Sequence, residues 1–458
     1  MWNNTVTGPS NRPIAQVIAQ PLPPADPTVM PVVPPELDFE DAEALASVRH
    51  TLTQAPALQA WCVQAFDGVN AEQVRDDVIT LLFYTHFDGG PPPGAALEAR
   101  DTVLMRVAPH LSLTGQAALR QSLDVDAPPH TAPNPFAELL TQRDRWFLEG
   151  LVCRQHGEAH QASGDYPQAA ARFEAAATSF AHVPEHTTWV AENLRDSGRA
   201  HAQAGHLALA SDQLVGASTV ELAHAALLRG LTQPEPEDML ACRNAFTRGM
   251  YDLAAAGDLY QEMGLPTLAI GTHTKAADGF TLLEMFPQAA TLYHAITDIW
   301  ADMADAYRQT GELAQAEDAI LACVDAARHA ARLDLVAKNY AAAGHAFVKA
   351  FNYGAAAKAF EAGGDYGAAG LSYQWMAQRC EADAAKHQGQ GLTALARADL
   401  QKALSCYKLA IRQFTRASQL HVDATQLAAA IATVQERISA LRFALQFGMH
   451  EPRPRATQ

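Results

Sequence analysis

The sequence predicts an all-α protein in which helical hairpins stack one after another, and three observations predict it. Of its 458 residues 48% are hydrophobic and only 7% aromatic, and alanine dominates; with β-branched runs scarce, that composition favours helix over strand. A pattern of small residue, ring, glycine and alanine recurs five times between Gly157 and Ala356. Near the C-terminus, apolar residues follow an unbroken 4,3,4,3 spacing from Leu420 to Leu445, the seam of a long helix packed against another.

The N-terminal third is divided by three breaks rich in proline and glycine: the leader, "DGGPPPG" at Asp88–Gly94, and "DAPPHTAPNP" at Asp126–Pro135. Residues 1–35 contain two charged side chains, Arg12 and Asp26, and nine prolines. Such a segment buries too little apolar surface to offset its ordering entropy, so a disordered leader is expected. Its polar start, "MWNNTVTGPSN", also resembles the uncleaved export leaders of bacterial type III secreted effectors. Residues 36–130 read as a small helical unit. One helix opens near Asp38 and another near Asn70, an N-cap followed by Val74, Val78, Leu81 and Leu82 on one face. Two shorter helices are expected over 95–108 and 114–123.

From Phe136 onward the repeat sets in. "GEAHQASGDYPQAAARFEAA" at Gly157 is followed by "GRAHAQAGHLALASDQLVGA" at Gly198 and "GDLYQEMGLPTLAIGTHTKA" at Gly257. Then come "ADAYRQTGELAQAEDAILAC" at Ala304 and a divergent copy, "GHAFVKAFNYGAAAKAFEAG", at Gly344. Each small residue is followed three places on by His160, His201, Tyr260, Tyr307 or Phe347. Four copies then carry Gly164, Gly205, Gly264 or Gly311, and all five carry an alanine: Ala169, Ala210, Ala269, Ala316 or Ala356. The small residue lets two antiparallel helices approach, and the ring is expected to fill the space beside that contact. The glycine accepts the left-handed backbone that ends the first helix, and the alanine keeps the second helix close. Asp165 with Gln168 reads as a capping box, and Pro167 is harmless in a first turn.

These residues resemble the tetratricopeptide (TPR) repeat family. Trp300, Met303, Ala304, Tyr307, Gly311 and Ala316 match its consensus best, and the resemblance runs from Phe136 to Ala377. It implies a right-handed α-solenoid over 136–390. The glycines recur at intervals of 41, 59 and 47, against about 34 for the family unit, so longer helices or inserted turns are expected; "LTQPEPEDM" at Leu231–Met239 marks the widest gap. The long spacing looks like kinesin light chains and soluble NSF attachment proteins (SNAPs), and "KAFEAGGDYGAAGLSYQWMA" has the texture of the latter.

Residues 391–448 read as two capping helices, with 449–458 a tail. The last carries Leu420, Ala424, Leu427, Ile431, Val434, Ile438, Leu441 and Leu445; the one before carries Leu400, Leu404, Tyr407, Ile411 and Phe414; Asp423 with Gln426 caps the last. The seam fits an intramolecular pair closing the stack, as stacked repeats require. The same Leu427, Ile431, Val434, Ile438, Leu441 and Leu445 stripe would serve a homodimer.

A formal net charge of −17 disfavours nucleic acid and anionic membrane as partners. No apolar run approaches the ~18 residues of a membrane span; "VITLLFY" at Val78–Tyr84 is read as buried helix. Cys62, Cys153, Cys242, Cys323, Cys380 and Cys406 are dispersed without a C-x-x-C pair, which points to free thiols in a reducing, cytoplasmic setting; if the leader is an export signal, the setting is a host cell.

No phosphate-loop, dinucleotide, zincin, nucleophile-elbow or EF-hand motif is present in the sequence, and the chain is expected to be non-catalytic, without cofactor or metal. His156 and His160, at i and i+4 on a helix, have a metal-compatible spacing, but His160 and His201 stand where other copies place tyrosine, a packing slot. Buried imidazoles there would cost stability as pH falls. His182 and His186 straddle Pro184 in an expected loop. Cys62 with His86 or His110 is the one pairing that would suit a cysteine hydrolase.

What the resemblance implies is binding of a protein segment, a peptide or a helix, in the solenoid's concave groove. Carried onto this chain, its groove positions are Arg154, Glu158 and Gln161, then Glu192, Arg195, Arg199 and Gln203, then Tyr251, Asp258, Gln261 and Glu262. Asp298, Asp305 and Arg308 follow, then Lys338, His345 and Lys349. They form a basic end, an acidic middle and a second basic end, a pattern that would steer a complementary segment. Relatives that clamp a peptide's terminal carboxylate need asparagines where this chain has Glu158 and Arg199, so that mode is not expected. The reading is a scaffold or adaptor, in its narrowest form a secreted effector, with a SNAP-like assembly factor or an enzyme seated in residues 36–130 as alternatives.

Overall fold

The computed structural model describes residues 94–123, 140–420 and 424–447. The expectations for the leader, the helices near Asp38 and Asn70, Cys62, His86, Asp423 and the tail lie outside the described residues. Among the described residues there are fifteen α-helices and no strand. The chain divides into two compact units, Met1–Leu265 and Pro266–Gln458. The first contains α1 (Gly94–Val107), α2 (Leu113–Leu123), α3 (Gln142–Ala162), α4 (Tyr166–Phe180), α5 (Thr187–Gln203), α6 (Leu207–Arg229) and α7 (Pro236–Glu262). The second contains α8 (Pro266–Leu282), α9 (Phe286–Thr310), α10 (Leu313–Val336), α11 (Tyr340–Lys349), α12 (Tyr353–Ala362), α13 (Tyr366–Gly389), α14 (Thr393–Gln419) and α15 (Ala424–Phe447). Within each unit successive helices pack on one another, giving the TPR-like helical solenoid that the repeat predicts. The helices α1 and α2 match the expected spans to within a residue or two and pack on α3.

Among the described residues one turn is used nine times. At Gly164 the backbone is left-handed (φ 79°); its N–H donates to the Gln161 carbonyl at 3.1 Å, and the Asp165 N–H donates to the His160 carbonyl at 2.9 Å. This pair of bonds is the Schellman closure of a helix C-terminus. It recurs at Gly205, Gly264, Glu284, Gly311, Lys338, Phe351, Gly364 and Gly391. Side chains of Asp165, Asn352 and Asp365 then cap the helix that follows, accepting from the N–H groups of Gln168, Ala355 and Ala368.

The small residue of the repeat works as expected, and in the first and last copies the ring that rests on it comes from the facing helix, while Phe347 is buried beside Phe360 in the same cluster. A Cβ at Gly157 would lie 2.8 Å from the Phe173 ring of α4, and one at Gly344 2.5 Å from the Phe360 ring of α12. The aromatic is therefore supplied by the second helix and rests on the bare backbone of the first. His160 instead stays at the helix end beside Asp165, Nδ1 to Oδ2 3.5 Å. At Gly198 the neighbours are backbone and side chain together, with the Ala210 carbonyl oxygen and the Leu214 Cγ each 3.1 Å from an added Cβ. Ala169, Ala210, Ala269, Ala316 and Ala356 are all buried.

The irregular spacing now has a cause. The 59-residue interval holds helices of 23 and 27 residues, α6 and α7, and the 47-residue interval conceals an extra turn at Glu284. Hairpin packing also continues past Gln390: α13 turns at Gly391 into α14, and Gly370 takes the Phe414 ring, 2.5 Å from an added Cβ. The heptad stripe on α15 is used inside the chain. Leu427, Val434, Ile438 and Leu441 are buried against Tyr407, Phe414 and Ala417 of α14, with Ile431 at the edge; Leu445 is partly exposed and Leu420, in the connection, is exposed.

Candidate interaction surface

In the first unit the candidate groove residues fall on α3, α5 and α7, the first helices of consecutive hairpins. Arg154 on α3 binds Glu158 at 3.1 Å within its own helix and Glu192 on α5 at 3.3 Å. Its guanidinium also lies 5.1 Å from the centre of the Trp189 ring, a cation–π contact. Burial opposes its charge, but Glu158 and Glu192 hold its pKa above the ordinary arginine value. On α5, Arg199 closes on Asp196 at 3.1 Å. The burial of Asp196 raises its carboxyl pKa, a shift that Arg199 and Arg154 reduce without cancelling.

Arg195 is not part of an open wall. It is 5% exposed and meets Asp252 of α7 in a two-pronged pair, while its Nη2 also reaches Glu221 of α6 at 3.2 Å. Arg248 closes the far side of Glu221 with bonds of 2.7 and 2.9 Å. Desolvation works against the Arg195 charge, yet Asp252, then Glu221, hold its pKa above the ordinary value. Spacing shows that Arg195 shares a helix with Arg199; it does not show a partner 57 residues away. The expected basic end is therefore neutralised on the spot. Arg154, Arg195, Arg199 and Arg248 face Glu158, Glu192, Asp196, Glu221 and Asp252. Glu158, Gln203, Tyr251, Gln261 and Glu262 are exposed, and Gln161 and Asp258 partly so.

In the second unit Asp298, Asp305, Arg308, Lys338, His345 and Lys349 are all exposed. Asp298 of α9 pairs with Lys349 at the end of α11 (2.5 Å), and Asp305 with Arg308 (2.7 Å). His345 stands edge-on to Phe360, ring centres 5.1 Å apart. Lys338 is displaced from its expected place: with φ 59° it is the left-handed residue of the α10–α11 turn, so it sits at a hairpin end and not along an inner helix.

The histidines serve as packing and bridging groups. His201 is buried with Nε2 3.0 Å from Glu174, His182 stacks on Trp146 with ring centres 4.1 Å apart, and His186 spans from the short 3-10 turn Pro184–His186 to Asp101 of α1 at 2.7 Å. Burial, with Arg172 and Arg120 nearby, lowers the His156 pKa. Among the described residues no group of three or more His, Cys, Asp or Glu side chains is placed to hold a metal. Cys153, Cys380 and Cys406 are buried; burial pushes the Cys153 thiol up to about 12, so it behaves as an apolar side chain. Among the described residues no helix is long and apolar enough to cross a membrane.

No family model matches the chain, and no curated protein matches it. Among solved structures it is similar to the Rap conjugation gene regulator of plasmid pLS20 in complex with the Phr* peptide, at 11% identity over 90% of this chain and 99% of that one, with a TM-score of 0.27. It is similar to a Rap protein complexed with competence and sporulation factor at 12% identity, covering 89% and 98%, with a TM-score of 0.18. A circular tandem repeat protein gives 12% identity, 89% and 97% coverage, and a TM-score of 0.25.

Proposed function

We propose that the chain is a non-catalytic interaction scaffold or adaptor that holds a peptide or helical segment of a protein partner along the first helices of its hairpins. The observation that carries this reading is the division of labour within α3, α5 and α7. One side of these helices is consumed by alanine, glycine and phenylalanine packing. The other presents Glu158, Gln203, Tyr251 and Glu262 to solvent beside a row of fixed ion pairs. Side chains already held by their neighbours lose little freedom when a ligand arrives, which suits recognition. In the second unit Asp298, Asp305, His345 and Lys349 are exposed likewise.

Export as a bacterial effector is a narrower form of this reading, and SNAP-like action on coiled-coil bundles is an alternative to it. The first rests on the composition of residues 1–35, the second on the texture of residues 358–377. The test is capture by the full-length chain of proteins identified by mass spectrometry, repeated with Glu158→Lys combined with Arg199→Glu. Both positions are solvent-accessible, so the variant should fold and lose its partners. A partner set unchanged by that double reversal would defeat the assignment of this surface.

A further inference from the structure

Among the described residues, Cys380 of α13 and Cys406 of α14 are the two cysteines that stand on helices packed against each other. Cys153, Cys242 and Cys323 lie apart on α3, α7 and α10. The α13–α14 hairpin turns at Gly391, and two contacts fix its register. Near the open end the Phe414 ring rests on Gly370; near the turn His387 Nδ1 lies 2.8 Å from Asp399 Oδ2. Counting ten residues along each helix from the first contact sets Cys380 opposite Leu404, and counting seven from the second sets it opposite Cys406. The two cysteines are therefore level to within about 3 Å at 1.5 Å per residue.

They also stand on the facing sides of the two helices. Cys380 shares its side of α13 with Ala377 and Ala384, and Cys406 shares its side of α14 with Ala403 and Ala410, each three or four residues away. Ala377, Cys380, Ala403, Cys406 and Ala410 belong to one buried cluster, in which the cysteines are 6% and 5% exposed. Gly370, Ala377 and Ala384 with Ala396, Ala403 and Ala410 make a seam of small buried residues. Such a seam lets two helices approach closely, as a bridge spanning Cα separations of about 4.4–6.8 Å requires. Where glycine or alanine fills the neighbouring places, cysteine stands at two that are opposed. Their environments are shared as well: burial raises the pKa of both thiols, Lys402 lowers both, and Cys380 adds to the rise at Cys406.

We infer that Cys380 and Cys406 are a reversible dithiol–disulfide site that staples α13 to α14 when the chain meets a peroxide. One sulfur attacks the O–O bond of hydrogen peroxide, becoming a sulfenic acid as one water is released. The second thiol attacks that sulfur, the S–S bond forms, and the hydroxyl leaves with the thiol proton as a second water. Two thiols and one peroxide thus give one disulfide and two waters, the sulfurs oxidised and the peroxide oxygens reduced. The thiolate is the nucleophile and burial keeps both thiols protonated, so the reaction quickens as pH rises. The bridge encloses the 25 residues between Cys380 and Cys406, which restricts the unfolded chain, and it lies in the hairpin against which α15 packs. The inference does not depend on the binding surface proposed above.

The test treats the reduced full-length chain with hydrogen peroxide, blocks the remaining thiols with iodoacetamide and digests with trypsin without reductant. Cleavage after Arg379, Lys386, Lys402 and Lys408 gives Cys380–Lys386 and Ala403–Lys408, each with one cysteine. Mass spectrometry should recover the two joined, from a band that runs as a single chain on a non-reducing gel. The joined species should form faster at about pH 8.5 than at about pH 7 and should separate in dithiothreitol. Oxidation should raise Tm by several degrees, and the rise should be absent in Cys380→Ala and in Cys406→Ala, substitutions that match the alanines of the seam. Recovery of the two peptides unjoined, or joined only between two chains, would overturn the inference. An equal rise in Tm in either alanine variant would do the same, since the staple would then lie elsewhere.

Discussion

Arg195 and Asp252 meet through two parallel hydrogen bonds, Nε to Oδ1 at 2.7 Å and Nη2 to Oδ2 at 2.8 Å, across 57 residues of sequence and with both side chains buried. The pair ties α5 to α7, and through Glu221 to α6. Removing one partner strands a desolvated charge, so Arg195→Met should cost about 3–5 kcal/mol. The double variant Arg195→Met, Asp252→Leu leaves Glu221 with Arg248 and should recover most of the loss. Urea unfolding followed by circular dichroism, arranged as a double-mutant cycle, reads the coupling. An unchanged midpoint for the single variant would show that the pair holds nothing together.

Gly157 gives a prediction in which two effects oppose one another. Alanine in place of a helical glycine gains about 1 kcal/mol of propensity, but its Cβ would stand 2.8 Å from the Phe173 ring, and overpacking costs about 1–3 kcal/mol. Gly157→Ala should therefore destabilise, and Phe173→Leu in the same chain should offset part of that loss. Gly198→Ala meets the Ala210 carbonyl oxygen and the Leu214 Cγ of α6, both at 3.1 Å, so Leu214→Ala in the same chain should relieve the side-chain contact alone and rescue it only in part. The comparison of thermal midpoints across these four variants checks both statements.

The turns separate what could be read in the sequence from what could not. Gly164, Gly205, Gly264 and Gly311 stand out because glycine is the residue that tolerates positive φ, and all four adopt it. Glu284 and Lys338 make the same closure with ordinary side chains. Both residues are exposed, and a reading that looks for glycine passes over them. Hence α8 and α9 were hidden inside one interval, and Lys338 was expected on an inner helix. The candidate surface was legible only in part for a similar reason. Helical spacing groups Arg154, Glu158, Arg195 and Arg199, but only the packing of α5 against α6 and α7 shows that Arg195 points inward.

The Glu284 turn can be improved. A left-handed non-glycine residue costs about 1–2 kcal/mol, of which glycine returns a part after its own greater loss of chain entropy. Glu284→Gly should raise stability by up to about 1 kcal/mol, and Gly311→Ala should lower it by about 1 kcal/mol. Opposite shifts in the thermal midpoint are the expected result. A loss of stability in Glu284→Gly would mean that its side chain contributes more than its backbone costs.

His156 sets a pH dependence with a definite sign. Burial first, then Arg172 from α4 and Arg120 from α2, disfavour the imidazolium, while Glu149 favours it and His160 adds a small opposing effect. The folded pKa thus lies below the unfolded value of about 6.5. Above that value the ring is neutral in both states and contributes no pH dependence. As pH falls through about 6.5 the unfolded chain takes up the proton first, so stability is lost until the folded pKa is passed. His156→Gln should shrink the gap between urea midpoints at pH 7.5 and pH 5.5, the other histidines leaving a remainder common to both proteins. If the gap is equal in the two proteins, this ring takes up its proton as readily in the folded chain as in the unfolded one, and neither its burial nor the arginines beside it govern its titration.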